Sequence, residues 1–213
     1  MQNNKENYIK RLIISIIATI AIGISIGMMR FSNLGVDPFT SLIIGVSNLS
    51  NIDFKIIYPI INALILIVIF LINRPMVGMG TLINLLLIGT IADYSTSLLK
   101  SSLTNQSLSF RLIILVIALI IMAMGVSLYT NTNIGASAYD SLFITINKKN
   151  PKISQGLARV ITDSISMIVG FLGKATLGIG TILNVFLMGP MVELFNKTTS
   201  KKILKLSGID LSN

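Results

Sequence analysis

Five stretches of this chain run for about 18 residues or more without a single charge: Leu12–Met29, Ile56–Asn73, Pro75–Ala92, Leu112–Tyr139 and Ala175–Val192. Coiled as helix, each can cross roughly 30 Å of hydrocarbon. No soluble fold tolerates so many such segments, because their outer faces would need cover from water. Charged residues make up 12% of the chain, where an ordinary soluble domain carries about 25%. With 53% hydrophobic residues and a mean hydropathy of +0.82, the expected class is an all-α polytopic membrane protein. The first run has no small-residue cleavage site, so it reads as the first transmembrane helix rather than a removable signal.

The chain also repeats itself once, 100 residues apart, without a gap. Arg11-Leu12-Ile13-Ile14 returns as Arg111-Leu112-Ile113-Ile114, and Asn33, Gly35, Ser41 and Leu42 return as Asn133, Gly135, Ser141 and Leu142. Gly78-Met79-Gly80-Thr81-Leu82-Ile83-Asn84 returns as Gly178-Ile179-Gly180-Thr181-Ile182-Leu183-Asn184. Apolar background alone does not align glycines, asparagines and a threonine in one register. A period this long points to the duplicated bundles of channels and transporters. The expected organisation is two tandem repeats, residues 8–100 and 108–200, followed by a basic cytoplasmic tail over 201–213.

Each repeat is expected to hold three long transmembrane helices and one short helix that is re-entrant or only partly spanning. The long ones fall at about 11–30, 55–73 and 81–98, then 111–130, 153–172 and 181–196; the short ones fall at about 38–48 and 138–147. Ten helical residues cover only ~15 Å. Two topologies stay open. Re-entrant short helices give six spans and inverted halves; short helices that cross give eight spans and parallel halves. Segment length favours the first and the distribution of basic residues the second.

Cysteine and histidine are absent, which removes disulfides, thiolate or imidazole metal sites and the usual neutral-pH base. No metal, no cofactor and no enzymatic activity are expected. The net charge of +9 sits at helix ends, notably Lys5, Lys10 and Arg11, then Lys197, Lys201, Lys202 and Lys205. That is the positive-inside pattern, which puts both termini in the cytoplasm and makes the lipid bilayer, not nucleic acid, the partner.

Several polar residues stand out against this background. Asp37, before Pro38, and Ser137, before Ala138-Tyr139-Asp140, read as N-caps of the short helices. Asp37 and Asp140 then either satisfy free N–H groups or line a pathway. Thr81 and Thr181 read as N-caps of the last long helices, with Asn84 and Asn184 beside them. Arg159 and Asp163 lie four apart on one helix, with Asp163 ~15 Å from its start and close to the midplane. Asn62, near the matching place in the first half, is a partner for them. Asp93 and Glu193 match each other, with Lys197 one turn beyond Glu193. Gly23 and Gly27 form a small-residue face for helix packing, and a homodimer is expected to use it.

The runs Gly35-Val36-Asp37-Pro38-Phe39, Gly78-Met79-Gly80-Thr81 with Asn84 and Gly89, and Gly178-Ile179-Gly180-Thr181 with Gly189-Pro190 resemble the YczE/YyaS/YitT family of bacterial integral membrane proteins. The likeness covers about residues 8–197 and is nearest the short YczE-like branch. Thr90 departs from the pattern where the second half has Pro190, and Ala138 stands where a proline belongs. The resemblance implies a multi-pass protein of the bacterial plasma membrane and brings no defined activity. The functional expectation therefore rests on the residues. It is a small secondary transporter for a polar or anionic solute, with its site between the repeats and H⁺ or Na⁺ as a coupling ion. The alternative is a non-conducting subunit that supports another transporter or a biosynthetic complex.

Overall fold

The computed structural model describes residues 2–72, 78–103, 107–135, 137–153 and 155–209. Residues 104–106, between the two expected repeats, and 210–213, at the end of the expected tail, lie outside the described residues. The described chain is helical throughout: α1 (Gln2–Ser32), α2 (Pro38–Ser50), α3 (Phe54–Ile72), α4 (Met79–Ser102), α5 (Leu108–Asn131), α6 (Ala138–Lys149), α7 (Gln155–Leu172) and α8 (Ile179–Phe195). A π-turn (Asn196–Ser200) leads from α8 into α9 (Lys201–Leu206). Among the described residues, five helical segments are long and apolar enough to cross a membrane: Glu6–Ser32, Phe54–Ile72, Met79–Ser102, Leu108–Asn131 and Ile179–Leu206. Burial departs from that of a soluble protein in what surrounds an apolar core that includes Met29, Ile43, Ile88 and Leu115. Ile13, Ile17, Leu64, Ile67, Leu71 and Leu86 are exposed, while Ser15, Thr19, Asn62, Thr81, Asn84 and Asn184 are buried. Apolar side chains outside and small polar ones inside suit a lipid solvent, and the chain is a multi-pass membrane protein.

At the centre α1 and α5 lie side by side in opposite directions. Arg11, at the start of α1, donates to the Thr132 carbonyl beyond α5 at 2.9 Å. Arg111, at the start of α5, donates to the carbonyls of Ser32 and Asn33 beyond α1 at 2.5 and 2.8 Å. Each arginine thus satisfies carbonyls that the partner helix leaves open at its C-terminus. Between these clamps Gly125 brings α5 against Ala18 and Ile22.

α4 flanks α1 and runs parallel to it. Gly23 sits against Ile88 and Ile91, and Gly27 against Ala92, Ser95 and Thr96. A Cβ on Gly27 would lie 2.4 Å from the Ser95 Cβ, so the helices approach as closely as backbones allow. The face expected to serve a homodimer is therefore occupied by α4 of the same chain. α8 flanks α5 in the same way, with Gly180 beside Leu115 and Asn184 beside Met122.

The expected start of α4 and α8 moves back two residues. Gly78 and Gly178 are the N-caps, and Thr81 and Thr181 occupy the third helical position, where their Oγ1 atoms accept from the Gly78 and Gly178 N–H groups at 3.2 and 3.4 Å. The next orphan donors find acceptors across the molecule. Gly80 N–H donates to the Ile134 carbonyl (2.9 Å), and Gly180 N–H donates to the Leu34 carbonyl (2.8 Å). These long-range bonds extend both helices past the threonines.

The expected tail is partly folded. α9 continues the last helical segment, and Leu204 within it is fully buried.

Candidate functional site

The segments after α1 and α5 turn the chain back into the protein. Asn33 and Gly35 have φ of 51° and 111°, and Asn133 and Gly135 have φ of 53° and 130°. Asparagine and glycine are the residues that enter the left-handed region at least cost. The two glycines also lie tight against the other half: a Cβ on Gly35 would be 2.7 Å from Thr181 Oγ1, and one on Gly135 would be 2.5 Å from Thr81 Oγ1.

α2 and α6 therefore begin inside the molecule and run back toward the ends the chain came from. The first turns of both, Pro38–Thr40 and Tyr139–Asp140, line a central cavity of about 1260 Å³ together with Ile22 and Ile26 of α1 and Met122 and Val126 of α5. Of these, Ile22 and Met122 lie midway between the arginine clamps. The far end of α2 (Ser47, Asn48) instead reaches a separate pocket of about 400 Å³ with Arg30 and Asp93. Rings from the two short helices meet at the centre, where Phe39 stacks on Tyr139 at 4.6 Å and Tyr58 closes on Phe39 edge-on at 5.9 Å.

Capping at these inner termini follows from residue type. Asp37 is the N-cap of α2, and its Oδ1 accepts from Thr40 N–H at 2.9 Å; Ser137 caps α6, and its Oγ accepts from Asp140 N–H at 3.0 Å. Asp37 and Asp140 thus both sit at helix N-termini that open into the cavity.

α7 supplies the third acid. Asp163 is 5% exposed, accepts from the Tyr139 hydroxyl at 2.5 Å and faces Arg159 Nε at 3.7 Å. Ser166 Oγ lies 3.3 Å from the same Tyr139 hydroxyl. The Arg159 guanidinium stands 5.5 Å from the centre of the Phe143 ring. Asn62 is buried, donates to the Tyr58 carbonyl at 2.8 Å and borders the cavity, as do Asn84 and Asn184. Thr81 and Thr181 are buried just outside it, holding the helix starts.

Of the residues expected to form a polar site, the structure brings Asp37, Asp140, Arg159, Asp163, Asn62, Asn84 and Asn184 around one cavity and leaves the two threonines behind it. Sequence reasoning missed the aromatic lining: Phe39, Tyr58, Tyr129, Tyr139 and Phe143. A signal existed, since Phe39 and Tyr139 occupy matching places in the two halves. Asp93 and Glu193, which match in sequence, also part company. In the structure Asp93 pairs with Arg30 and accepts from Lys55 N–H, whereas Glu193 holds exposed Lys197 at 2.6 Å.

Residues 9–197 match the family described as "Family of unknown function (DUF6198)". The chain belongs to this family. Its relatives include an uncharacterized protein of Haemophilus influenzae, 27% identical over 189 residues, which span 87% of this chain and 83% of the relative. Another is the uncharacterized protein YyaS of Bacillus subtilis, 24% identical over 188 residues, which span 88% of this chain and 92% of that one. No solved structure matches the chain.

Proposed function

We propose that this YyaS-like protein is a small secondary permease of the bacterial plasma membrane, not an enzyme, with its solute site in the central cavity. The observation that carries this reading is the placement of the inner ends of α2 and α6. Broken helices whose N-termini meet midway across a bundle, at the join of two halves, are the recurring design of transporter sites. Irregular backbone is tolerated at such depth only where it is buried or lines a cavity.

The antiparallel α1–α5 pair supports two inverted repeats, with α2 and α6 re-entrant from opposite faces and six spans in all. In that arrangement α7, with Arg159 and Asp163, is the sixth span and owes its place to the bundle rather than to hydropathy. The positive-inside distribution supports cytoplasmic termini. H⁺ or Na⁺ exchange on the buried carboxylates would supply the driving force.

A permease must offer its site to each face in turn. The natural chain lacks cysteine, so Met122→Cys places a single thiol in the cavity wall. Alkylation of that thiol by membrane-impermeant reagents is expected from both faces of oriented vesicles. Alkylation from one face only, under every solute and ion condition tried, would sink the permease and leave the non-conducting subunit as the better reading.

A further inference from the structure

The charge lining the cavity has the wrong sign for the anion that Arg159 and the helix N-termini suggest in sequence. Three carboxylates, Asp37, Asp140 and Asp163, face one guanidinium, Arg159. At the exposed mouth Glu193 is paired with Lys197 and Lys148 is exposed, so neither adds charge to the interior. The interior therefore sums to a formal −2, three acids less one base. The two helix N-termini return roughly half a positive charge each, which leaves about −1. Asp163 is already engaged by Tyr139 and Arg159, so the unmatched charge belongs to Asp37 and Asp140.

Two further observations point to an occupant. Asp37 Oδ2 is buried and makes no well-formed hydrogen bond, with only the Thr40 hydroxyl beside it, and the buried hydroxyl of Tyr129, a residue 2% exposed that borders the same cavity, is placed in the same way beside Thr81. The remaining wall is aromatic and aliphatic. Phe39, Tyr58, Tyr139 and Phe143 offer ring faces, and Phe143 already has Arg159 within cation–π range. At about 1260 Å³ the space is far larger than an inorganic ion needs, and pockets for organic ligands run to about 300–1000 Å³.

We infer that the cavity binds a monovalent organic cation, a substituted ammonium whose charge lies by Asp37 and Asp140 and whose apolar body lies on the aromatic wall. This deepens the permease reading, on which it rests for its physiological meaning, while binding itself is measured without any transport.

The test uses two probes of similar size and opposite charge, benzyltrimethylammonium and benzenesulfonate, added to the full chain in neutral detergent. Thermal unfolding reports binding by mass action. The cation is expected to raise the midpoint in a saturable way, and the sulfonate to leave it unchanged. Asp37→Asn keeps an N-cap acceptor and Asp140→Asn keeps the shape, so both should fold; each should weaken cation binding by about tenfold or more. Arg159→Gln should tighten it. Stabilisation by the sulfonate instead, by neither probe, or by the cation equally in all variants would overturn the inference. Cation binding with the expected variant pattern but no flux into proteoliposomes would uphold it and sink the permease reading alone.

Discussion

The two ends of the bundle are built from matching positions and yet differ in whether they are shut. At the end where α1 finishes, Arg30 pairs with Asp93, lies over the Phe54 ring at 4.3 Å, and with both of them lines the small pocket. Gly89 of α4 rests on Tyr58 of α3, and Gly45 of α2 rests on the Val169–Gly170 backbone of α7. At the end where α5 finishes, the matching residues are Thr130, Glu193, Gly189, Ala158 and Thr145. No ion pair forms there between Thr130 and Glu193, nothing lies within 4 Å of where a Gly189 Cβ would be, and the cavity runs out to exposed Lys148 and Glu193. Positions that match in sequence thus carry two different plugs. If the proposed permease reading holds, that difference has a direct meaning: the structure would be the form open at the second end, and the seal at the first end would be what must break to reach the other form.

The largest effect is expected from making the tight end resemble the loose one. Gly45→Thr copies Thr145 into the α2–α7 seam, where a Cβ would lie 2.6 Å from the Val169 carbonyl oxygen and 2.8 Å from the Gly170 Cα. Both obstacles are backbone and cannot rotate away. Overpacking of this kind costs roughly 1–3 kcal/mol or more, read as a lower unfolding midpoint or loss of folded protein. The reverse change, Thr145→Gly, forces no backbone apart and should cost less, mainly the roughly 0.5–1 kcal/mol of a helix-interior glycine and the contacts of a buried side chain. If Gly45→Thr were as stable as the parent, the seam would not be what holds that end together.

Next comes the ion pair. Asp93→Asn removes the partner of a half-buried guanidinium and weakens the bond from Lys55 N–H, a loss of about 1–3 kcal/mol if it behaves as a hydrogen bond to a charged group. Combined with Met122→Cys, it should also raise the rate of thiol alkylation from the α1-terminal end. Unchanged alkylation with lowered stability would make the pair a structural brace and not a gate.

How much of this was legible in the sequence depends on which physical signal each feature carries. The helices were, because charge-free runs and turn residues mark them; so were Asp37, Asp140, Arg159 and Asp163, because charge in a hydrophobic segment is conspicuous. The direction of α5 relative to α1 was not. It is fixed by Arg11 and Arg111 reaching carbonyls on the opposite helix, and a repeated arginine says nothing about which carbonyls it will find. The start of α4 was misplaced for a related reason: Thr81 looks like an N-cap until Ile134, over fifty residues away, supplies an acceptor to Gly80. The aromatic wall escaped because Tyr and Phe in an apolar chain look like packing until tertiary structure places them around space.

The smallest expected effect isolates the comparison most cleanly, because it uses one substitution at two matching positions. Alanine normally improves on glycine inside a helix by roughly 0.5–1 kcal/mol. At Gly89 that gain is opposed: the new Cβ would sit 3.0 Å from the Tyr58 Cβ and 3.4 Å from the Lys55 Cα, so α3 must yield. At Gly189 nothing opposes it in space, although Pro190 disfavours helical backbone in any residue with a Cβ before it and takes back part of the gain. Gly89→Ala should therefore lower the unfolding midpoint, while Gly189→Ala should leave it unchanged or raise it by an amount worth at most about 1 kcal/mol. A solute that drives the protein to the other form should shrink that gap, since α8 would then close on its neighbours as α4 opens. A gap that no ligand alters would mean that the two ends differ by construction and do not exchange roles.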